Sequence, residues 1–375
     1  MNTRPAETLT IALAQVNPVV GDVAGNADKV RAVRGRAKDA DLILFPELFI
    51  AGYPPEDLVL KPAFQAACRS AIEALARETG QGGPAMIVGT PWLEDGKLYN
   101  AAALLDGGRI AGLRFKVDLP NYGVFDEKRV FAVGPMPGPG SFRGVRLGVP
   151  ICEDIWGPEP AECIAETGGE ILLVPNGSPY RRGVVDQRLS VAVARVKETG
   201  LPLIYLNQVG GQDELVFEGA SFVLNADGSL AAQLPAFKEA VVTTRWHRSA
   251  DGWVCEPGEI APLLMLPYKF TSQESLKDAA DVAQALGIRY DVLPIESAVQ
   301  GLEKSLAPLF EGLPRDVTEE NLQARVRGTI VMALSNKFGS MVMTTGNKSE
   351  MSTGYATLYG DMNGGFNPIK DLYKT

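Results

Sequence analysis

The stretch GVPICEDIW, residues 148–156, ends an apolar run with a cysteine that two acidic residues follow directly. Val149 and Ile151 are typical of the end of a buried strand, so we expect Cys152 to lie where strand turns into loop, a common position for a nucleophile. A thiol is a weak nucleophile until another group makes it a thiolate, and histidine is the usual activator. The chain has one histidine, His247, far along in a charged stretch. Chemistry at Cys152 therefore requires a different partner.

Strand-like and helix-like segments alternate around this stretch, through about residue 245. The short apolar, β-rich segments are LTIALAQV (9–16), DLILFPELF (41–49) and AMIVGTPWL (85–93). Residues 26–40 and 61–79 have the apolar spacing of helices. Turn residues predict hairpins over Asp106-Gly107-Gly108 and over Ala226-Asp227-Gly228. This order predicts an α/β domain built of layers.

A composition break near residues 248–268 contains Gly and Pro and has no clear period. Helix and strand alternate again beyond it, in SLKDAADVAQALG (275–287), RYDVLPI (289–295), ENLQARVRGTIVMALSNKFG (320–339) and SMVMTT (340–345). We therefore predict two domains, residues 1–260 and residues 261–375.

Composition excludes several classes of function. The net charge is −9 and basic residues form no block, which argues against nucleic acid as a partner. No apolar run approaches the roughly 18 residues of a membrane helix, and the N-terminus lacks the pattern of a signal peptide. The four cysteines form no CxxC and have no histidine at metal spacing, which is typical of reduced thiols and not of a zinc site. We expect a cytoplasmic protein without membrane contact.

Two charged residues at predicted strand ends could activate Cys152. Glu47, in FPELFIAGYPPEDL, could take the thiol proton as a general base. Lys116, in RFKVDLPNYGVFDEKRVF, could lower the thiol pKa by placing positive charge nearby. Each residue also has an ordinary interpretation, Glu47 as an exposed loop acid and Lys116 as a surface lysine. Taken singly, the residues leave both interpretations open.

Taken together, Glu47, Lys116 and Cys152 resemble the Glu-Lys-Cys triad of the nitrilase superfamily. The surrounding sequence is similar to the glutaminase domain of the glutamine-dependent NAD synthetase family from residue 8 to about residue 260. The matching segments are FPELFIAGYPPEDL, KVDLPNYGVFDEKRVF, GVPICEDIW, LLVPNGSPY and NQVGGQDELVFEGASF. The resemblance implies a nitrilase-type four-layer αββα sandwich.

The resemblance also implies roles for these residues. Cys152 would attack the side-chain amide of glutamine, Glu47 would move the protons, and Lys116 would stabilise the oxyanion together with a backbone N–H after Cys152. The resulting thioester would be hydrolysed by water that Glu47 activates, and this half would need no cofactor.

Further positions match the family one at a time. Tyr122 and Ser178 match residues that contact glutamine, and Glu127 matches a second buried acid that holds the lysine. Without the family, Glu127 in DEKR would be interpreted as a surface acid. One position departs from the family, which usually has a basic residue six positions after the serine, where this chain has Val184. Arg181 or Arg182 could take its place.

From about residue 265 the chain resembles the synthetase domain of the same family, a partial Rossmann-like domain of the adenine-nucleotide α-hydrolase type. That domain activates the carboxylate of deamido-NAD+ with ATP and Mg2+, and ammonia then displaces AMP. The family also implies a homo-oligomer. The implied site residues are Asn321, Arg325 and Glu350 for deamido-NAD+, Thr345, Lys370 and Lys374 for ATP, and Glu350 for Mg2+.

One family element is missing from the sequence. The adenylating domain of the family begins with a strand and a glycine-rich SGGxDS loop that holds the pyrophosphate of ATP. No SGG occurs in this chain, and APLLMLPYKF runs directly through the corresponding junction. The family's C-terminal helices also have no counterpart. Three interpretations stay open at this point. The first is a glutamine-dependent ligase that makes NAD+, and the second is a nitrilase-type glutaminase or amidase with a truncated, inactive synthetase remnant. In the third, the second unit has no enzymatic role and serves only for oligomerisation or for sealing in ammonia.

Overall fold

A computed structural model describes residues 6–181, 184–256, 263–269, 271–286 and 290–338, together with residues 342 and 360. The chain divides into two compact units, Met1–Gly258 and Glu259–Thr375. The predicted domain boundary after residue 260 lies beside this division and stays a prediction.

The first unit alternates strands and helices, with short 3-10 turns between some of them. Its described helices are α1 (Val23–Arg36), α2 (Pro62–Glu78), α3 (Glu127–Val130), α4 (Glu159–Glu166) and α5 (Val184–Thr199). Its described strands are β1 (Thr8–Gln15), β2 (Leu42–Leu44), β3 (Ala85–Glu94), β4 (Lys97–Asp106), β5 (Arg109–Phe115), β6 (Gly140–Phe142), β7 (Val145–Gly148), β8 (Ile171–Asn176), β9 (Leu203–Asn207), β10 (Val209–Gln212), β11 (Leu215–Glu218), β12 (Phe222–Leu224), β13 (Leu230–Gln233), β14 (Ala240–Ser249) and β15 (Gly252–Cys255).

Two sheets form the centre of this unit. The first has seven strands in the order β15-β14-β1-β2-β3-β4-β5, and the second has six in the order β13-β12-β9-β8-β7-β6. In each sheet the middle three strands are parallel, β1-β2-β3 and β7-β8-β9, and the flanking strands are antiparallel. The parallel strands place their carboxyl ends at one edge of each sheet, and it is there that the candidate site residues follow.

Three apolar clusters separate four layers. Leu42 and Leu44 of β2 pack in a cluster with residues of the second sheet, whereas Ile43 between them packs with residues of α1 and α2. This alternation is the period of two that puts successive strand side chains on opposite faces. A third cluster joins the second sheet to α4 and α5, for example through Leu172 and Ala192. The layers are therefore helix, sheet, sheet and helix, which confirms the αββα sandwich that the resemblance implied.

Two sequence predictions in this unit are wrong in detail. The run DLILFPELF was predicted as one strand, but β2 ends at Leu44. Pro46 has no N–H to donate to a sheet, and Leu48 has a φ of 46°, so the chain turns away from the sheet at Glu47. The predicted break at residues 248–268 also contains β15, which pairs antiparallel with β14 and adds an edge strand to the first sheet. Both predicted hairpins are confirmed, as β4–β5 and β12–β13.

The second unit contains a short parallel pair of strands and three described helices. They are β16 (Leu263–Met265), α6 (Gln273–Leu286), β17 (Tyr290–Val292), α7 (Glu296–Leu306) and α8 (Val317–Phe338). A cluster of Tyr268, Ile295, Val299 and Val326 joins α7 to α8. The helices predicted over 275–287 and 320–339 are confirmed, α7 was not predicted, and the strand predicted over 340–345 lies outside the described residues except for Val342. Across the described ranges, no helix has both the length and the apolar composition needed to cross a membrane.

Candidate active site

Cys152 lies at the point where the second sheet gives way to a turn. Strand β7 ends at Gly148, and Cys152 begins a 3-10 turn, Cys152–Ile155. Its φ is 48°, a conformation that residues other than glycine seldom adopt and that is concentrated at functional sites. The side chain is buried, with 3% of the residue exposed. The backbone therefore holds the thiol in a fixed and unusual direction.

Asp154 ties this turn to the segment that carries Lys116. Its carboxylate accepts hydrogen bonds from the backbone N–H groups of Ile151 (2.9 Å), Val117 (2.9 Å) and Asp118 (2.8 Å). No role was assigned to Asp154 from the sequence. The structure shows a cap shared between two segments, so the positions of Cys152 and Lys116 depend on one carboxylate.

Glu47 and Lys116 form an ion pair in the interior. The Lys116 Nζ lies 2.7 Å from the Glu47 Oε1, and neither side chain has any exposed surface. This excludes both ordinary interpretations, since neither an exposed loop acid nor a surface lysine is fully buried. Removing two charges from water costs several kcal/mol each even in real proteins. A pair kept at that cost is typical of a functional site.

A second acid completes the pair. Glu127, which is 5% exposed, accepts from the Lys116 Nζ through both carboxylate oxygens at 2.9 Å. The Tyr53 hydroxyl donates to Glu127 Oε1 at 2.9 Å. The Asn100 amide Nδ2 donates to Glu47 Oε1 at 2.8 Å and to Glu127 Oε2 at 3.4 Å. The alternative of a surface acid is thus excluded for Glu127 as well.

The charges of this cluster set its protonation. Burial lowers the pKa of Lys116, but Glu127 and Glu47 outweigh burial and raise that pKa well above its ordinary value. Burial raises the pKa of the Cys152 thiol, Glu47 raises it further, and Lys116 offsets only part of this. Burial also raises the pKa of Glu127, against the opposing effect of Lys116. At neutral pH the lysine is an ammonium ion and the cysteine is a neutral thiol, so attack by Cys152 requires a base.

Two glycines fix the position of Glu47. The Gly177 N–H, which directly follows β8, donates to Glu47 Oε2 at 2.9 Å. Gly89 of β3 packs under the turn that carries Glu47, and a Cβ atom built there would lie 2.3 Å from the Leu48 nitrogen and 2.4 Å from the Pro46 oxygen. Real Cβ atoms do not approach backbone this closely, so only glycine allows β3 and this turn to touch.

An open pocket is lined by Glu153, the residue after Cys152, although Cys152 itself does not line it. Its volume is about 520 Å3, and its lining includes Asp118, Tyr122, Lys128, Glu153 and Trp156. Tyr122 is half-exposed, and its hydroxyl donates to the Glu153 carboxylate at 2.9 Å. Burial raises the pKa of Glu153. The pocket wall therefore carries a tyrosine and a carboxylate suited to a polar, partly cationic ligand.

Ser178 is held by an arginine that sequence reasoning missed. Arg188 donates to the Ser178 hydroxyl through Nε (3.0 Å) and through a terminal nitrogen (2.9 Å), and it forms a buried ion pair with Glu218. Val184 is the first residue of α5, is buried, and lies one helical turn before Arg188. Arg181 is exposed and donates to Gln187 at 2.8 Å, and Arg182 lies outside the described residues. A cation does reach Ser178, but from a position ten residues after it and not six.

The predicted residues of the synthetase half are only partly described. Asn321 and Arg325 lie four residues apart on α8 and share a face of that helix, Asn321 half-buried and Arg325 exposed. Glu350, Thr345, Lys370 and Lys374 lie outside the described residues. A pocket of about 450 Å3 opens at the carboxyl end of β16, and its lining includes Arg327 but neither Asn321 nor Arg325. In the described part of the chain, no group of three or more His, Cys, Asp or Glu side chains could hold a metal ion.

Several functional contacts come from residues that the sequence analysis did not select. They are Tyr53, Asn100, Gly177 and Arg188, in addition to the role found for Asp154. Asn100 could have been selected from the sequence, because it is an amide within the apolar segment LYNAAALL. The structure shows that it is buried. Gly177 acts through its backbone N–H, which has no signature in a side-chain pattern.

Two protein families match the chain. The carbon-nitrogen hydrolase family matches residues 10–250, which is more than half of the chain. The NAD synthase family matches residues 254–375.

Named relatives match nearly the whole chain. The glutamine-dependent NAD(+) synthetase of Rhodobacter capsulatus is 47% identical over 422 residues, covering 97% of this chain and 76% of the relative. A structure of the glutamine-dependent NAD+ synthetase from Acinetobacter baumannii in complex with adenosine diphosphate is 37% identical with a TM-score of 0.63, covering 98% of this chain and 80% of that chain. An amidase from Nesterenkonia sp. is 29% identical with a TM-score of 0.56, covering 64% of this chain and 90% of that chain.

The alignment with the Rhodobacter relative is longer than the chain itself. It spans 422 residues against a chain of 375, so part of the relative's aligned sequence has no counterpart here. The segment predicted to be missing at APLLMLPYKF would be aligned sequence of the relative without a counterpart in this chain. Its position stays a prediction.

Proposed function

The chain belongs to the family of glutamine-dependent NAD(+) synthetases, and from this premise we propose that its Glu47–Lys116–Cys152 cluster is the glutaminase site that supplies ammonia for NAD+ synthesis. The enzyme is an ATP-dependent carbon–nitrogen ligase with glutamine as the amide donor, and its substrates are glutamine, ATP and deamido-NAD+. One observation carries the assignment of the site: the 2.7 Å ion pair between Lys116 and Glu47 is fully buried, in a unit where Cys152 occupies a left-handed backbone conformation.

The first chemical step follows from the protonation of the cluster. The neutral thiol of Cys152 loses its proton to Glu47 as its sulfur attacks the side-chain amide carbon of glutamine. A carbon–sulfur bond forms, and the amide oxygen becomes an oxyanion. Glu47 Oε1 already accepts from Lys116 and Asn100, whereas within the described residues Oε2 accepts from Gly177 alone, so Oε2 is the oxygen with room for the proton.

Lys116 is suited to stabilise the oxyanion without leaving the cluster. An ammonium group has three N–H donors, and these make three contacts, one with Glu47 and two with the oxygens of Glu127. Because both Glu127 contacts reach one carboxylate, one N–H can turn to the oxyanion while the ion pair persists. The backbone N–H of Glu153, directly after the nucleophile, supplies the second donor.

Breakdown of the intermediate returns the proton. The carbon–nitrogen bond breaks as Glu47 gives its proton to the departing nitrogen, which leaves as ammonia and leaves a thioester on Cys152. Glu47 then takes a proton from water, the water attacks the thioester, and glutamate is released with the thiol restored. Each step moves one proton through the same carboxylate, which is why no histidine is needed.

The amino-acid end of glutamine is recognised at the edge of this site. Tyr122 and Glu153 border the open pocket, and the Glu153 carboxylate is placed to attract the α-ammonium group of the substrate. Ser178, which Arg188 and Asn207 hold, is the residue that we propose contacts the α-carboxylate end. Glu127 acts indirectly, by holding Lys116.

For the synthetase half we propose the residues that the family resemblance implies. Asn321, Arg325 and Glu350 would contact deamido-NAD+, and Thr345, Lys370 and Lys374 would contact ATP. We also propose that Glu350 binds Mg2+, that the protein is a cytoplasmic homo-oligomer and that the domain boundary follows residue 260. The resemblance and the composition support these proposals. The glutaminase chemistry above uses side chains, one backbone N–H and water, and it involves no cofactor.

The proposed function is tested with Cys152→Ala in the full chain. We expect glutamate release and glutamine-supported NAD+ synthesis to fall to background, while synthesis supported by ammonium chloride persists. Cys163→Ala, which removes a half-buried thiol elsewhere, is the matched control and should keep both activities. Glutamate release by Cys152→Ala would refute the triad. Failure of the unsubstituted chain to use ammonium chloride would favour the alternative, a glutaminase with an inactive synthetase half.

A further inference from the structure

Asn100 of β4 contacts all three charged residues of the buried cluster. Its Nδ2 donates to Glu47 at 2.8 Å and to Glu127 at 3.4 Å, and its backbone oxygen accepts from the Lys116 N–H at 2.8 Å. The residue is 1% exposed. It is therefore joined to the proposed base, to the second acid and to the backbone of the lysine.

The charge count of the cluster explains why such a donor matters. Two carboxylates share one ammonium, so the cluster carries an excess negative charge when both acids are ionised. In a buried site, excess charge favours uptake of a proton, and a hydrogen bond to the ionised form opposes that uptake. The Asn100 amide is a neutral donor placed between the two acids, so it lowers their repulsion without adding charge.

The other end of the same amide argues against a purely structural role. Asn100 Oδ1 is buried and has no hydrogen-bond partner among the described residues. A buried unsatisfied acceptor destabilises a protein, whereas an apolar residue of the same shape would have no such atom. Strand β4 is already held by its ladders to β3 and β5. The hydrogen bonds that Nδ2 donates to the two acids therefore account for the amide at this position, although Oδ1 has no partner among the described residues.

We propose that Asn100 is a positioning residue that holds Glu47 in place to receive the thiol proton, by bridging Glu47 and Glu127 with one amide donor. This inference rests on the proposed role of Glu47 as the general base. Asn100 touches neither the thiol nor any reacting atom on this account, and it acts through Glu47.

The test compares Asn100→Leu and Asn100→Asp with the unsubstituted chain in a glutaminase assay across pH. Leucine keeps the shape and removes the donor, so we expect kcat to fall about 10- to 100-fold with little change in KM, as for loss of a hydrogen bond to a charged group. The acid limb of kcat/KM should move as well, because Asn100→Leu removes a donor to the ionised forms of the two buried acids. Aspartate is nearly the same size and places a third acid between the two, so kcat should fall at least as far.

Two controls separate this inference from its alternatives. Asn225→Leu removes a half-buried amide that bonds to the Cys255 backbone, and it should keep the original pH profile. Glu47→Gln tests the base itself. If Glu47→Gln loses activity while Asn100→Leu folds and keeps both kcat and the acid limb, Asn100 has no positioning role and the base assignment stands. If Glu47→Gln stays active, the proposed function fails instead. Should Asn100→Leu not fold, a pH profile for Asn100→Asp equal to that of the unsubstituted chain would overturn the inference.

Discussion

Replacing Lys116 with methionine would remove the cation that pairs with both Glu47 and Glu127. Methionine has a similar length and volume, so the change removes charge and hydrogen bonds more than it removes packing. The two carboxylates would then face each other in the interior with Asn100 and Tyr53 as their remaining side-chain donors. We expect both loss of activity and a change in how stability depends on pH.

The magnitude follows from the burial of the pair. Removing one partner of a buried ion pair costs about 3–5 kcal/mol in unfolding free energy, because a charge is left uncompensated. For a unit of this size, each kcal/mol lowers the melting temperature by about 2–4 °C, which gives a fall of about 6–20 °C at pH 8. Loss of one oxyanion donor lowers kcat by about 100- to 1,000-fold.

The pH dependence has a definite sign. Without the ammonium group, burial and mutual repulsion raise the folded pKa of the carboxyl pair above the unfolded value of about 4.3 for glutamate. A raised folded pKa adds stability that is fully present below the unfolded pKa and is lost as pH rises through the folded pKa. The deficit of Lys116→Met relative to the unsubstituted chain should therefore be larger at pH 8 than at pH 5.

The assay is calorimetric melting at both pH values together with glutamate release. Lys97→Met is the matched control, because Lys97 begins β4 and is exposed. It should change the melting temperature by no more than about 1–2 °C, as for a surface substitution of within 0.5 kcal/mol. If Lys116→Met is no less stable than Lys97→Met at pH 8, or if its deficit grows as pH falls, then the ion pair does not compensate the buried acids as described.

Two further perturbations test the site. Gly89→Ala should displace the turn that holds Glu47, since the new Cβ would overlap the Leu48 backbone. We expect it to lower the unfolding free energy by about 1–3 kcal/mol and to remove most of the kcat for glutamate release. Gly112→Ala is the control, because its new Cβ meets open space and should have neither effect. Glu47→Gln should lower the pH midpoint of Cys152 thiolate formation, followed by ultraviolet absorbance against a Cys152→Ala blank, because the Glu47 charge raises the pKa of this thiol. An unchanged or higher midpoint would mean that Glu47 does not act on the thiol electrostatically.

Much of the fold could be predicted because its elements have strong local patterns. The buried strand Leu42–Leu44 lies within an apolar, β-rich run, and the turn at Asp106-Gly107-Gly108 follows from its turn residues. The errors occurred where tertiary structure overrides the local pattern. The apolar run after Leu44 looks like continued strand, but Glu47 has to leave the sheet to reach Lys116. The strand over residues 252–255 is recognisable only through its partner β14, which is itself paired with the first strand of the chain.

The amino-acid sequence by itself determined which residue types are available for chemistry: a cysteine at the end of a strand, an acid and a lysine at the ends of others, and no histidine nearby. Only the tertiary structure decided that Glu47, Lys116 and Glu127 share one buried cluster, and that Tyr53, Asn100 and Gly177 supply its donors. The reason is physical. A hydrogen bond depends on distances of a few tenths of an ångström between segments up to 130 residues apart. Such distances are set when two sheets pack face to face, and no local pattern records them.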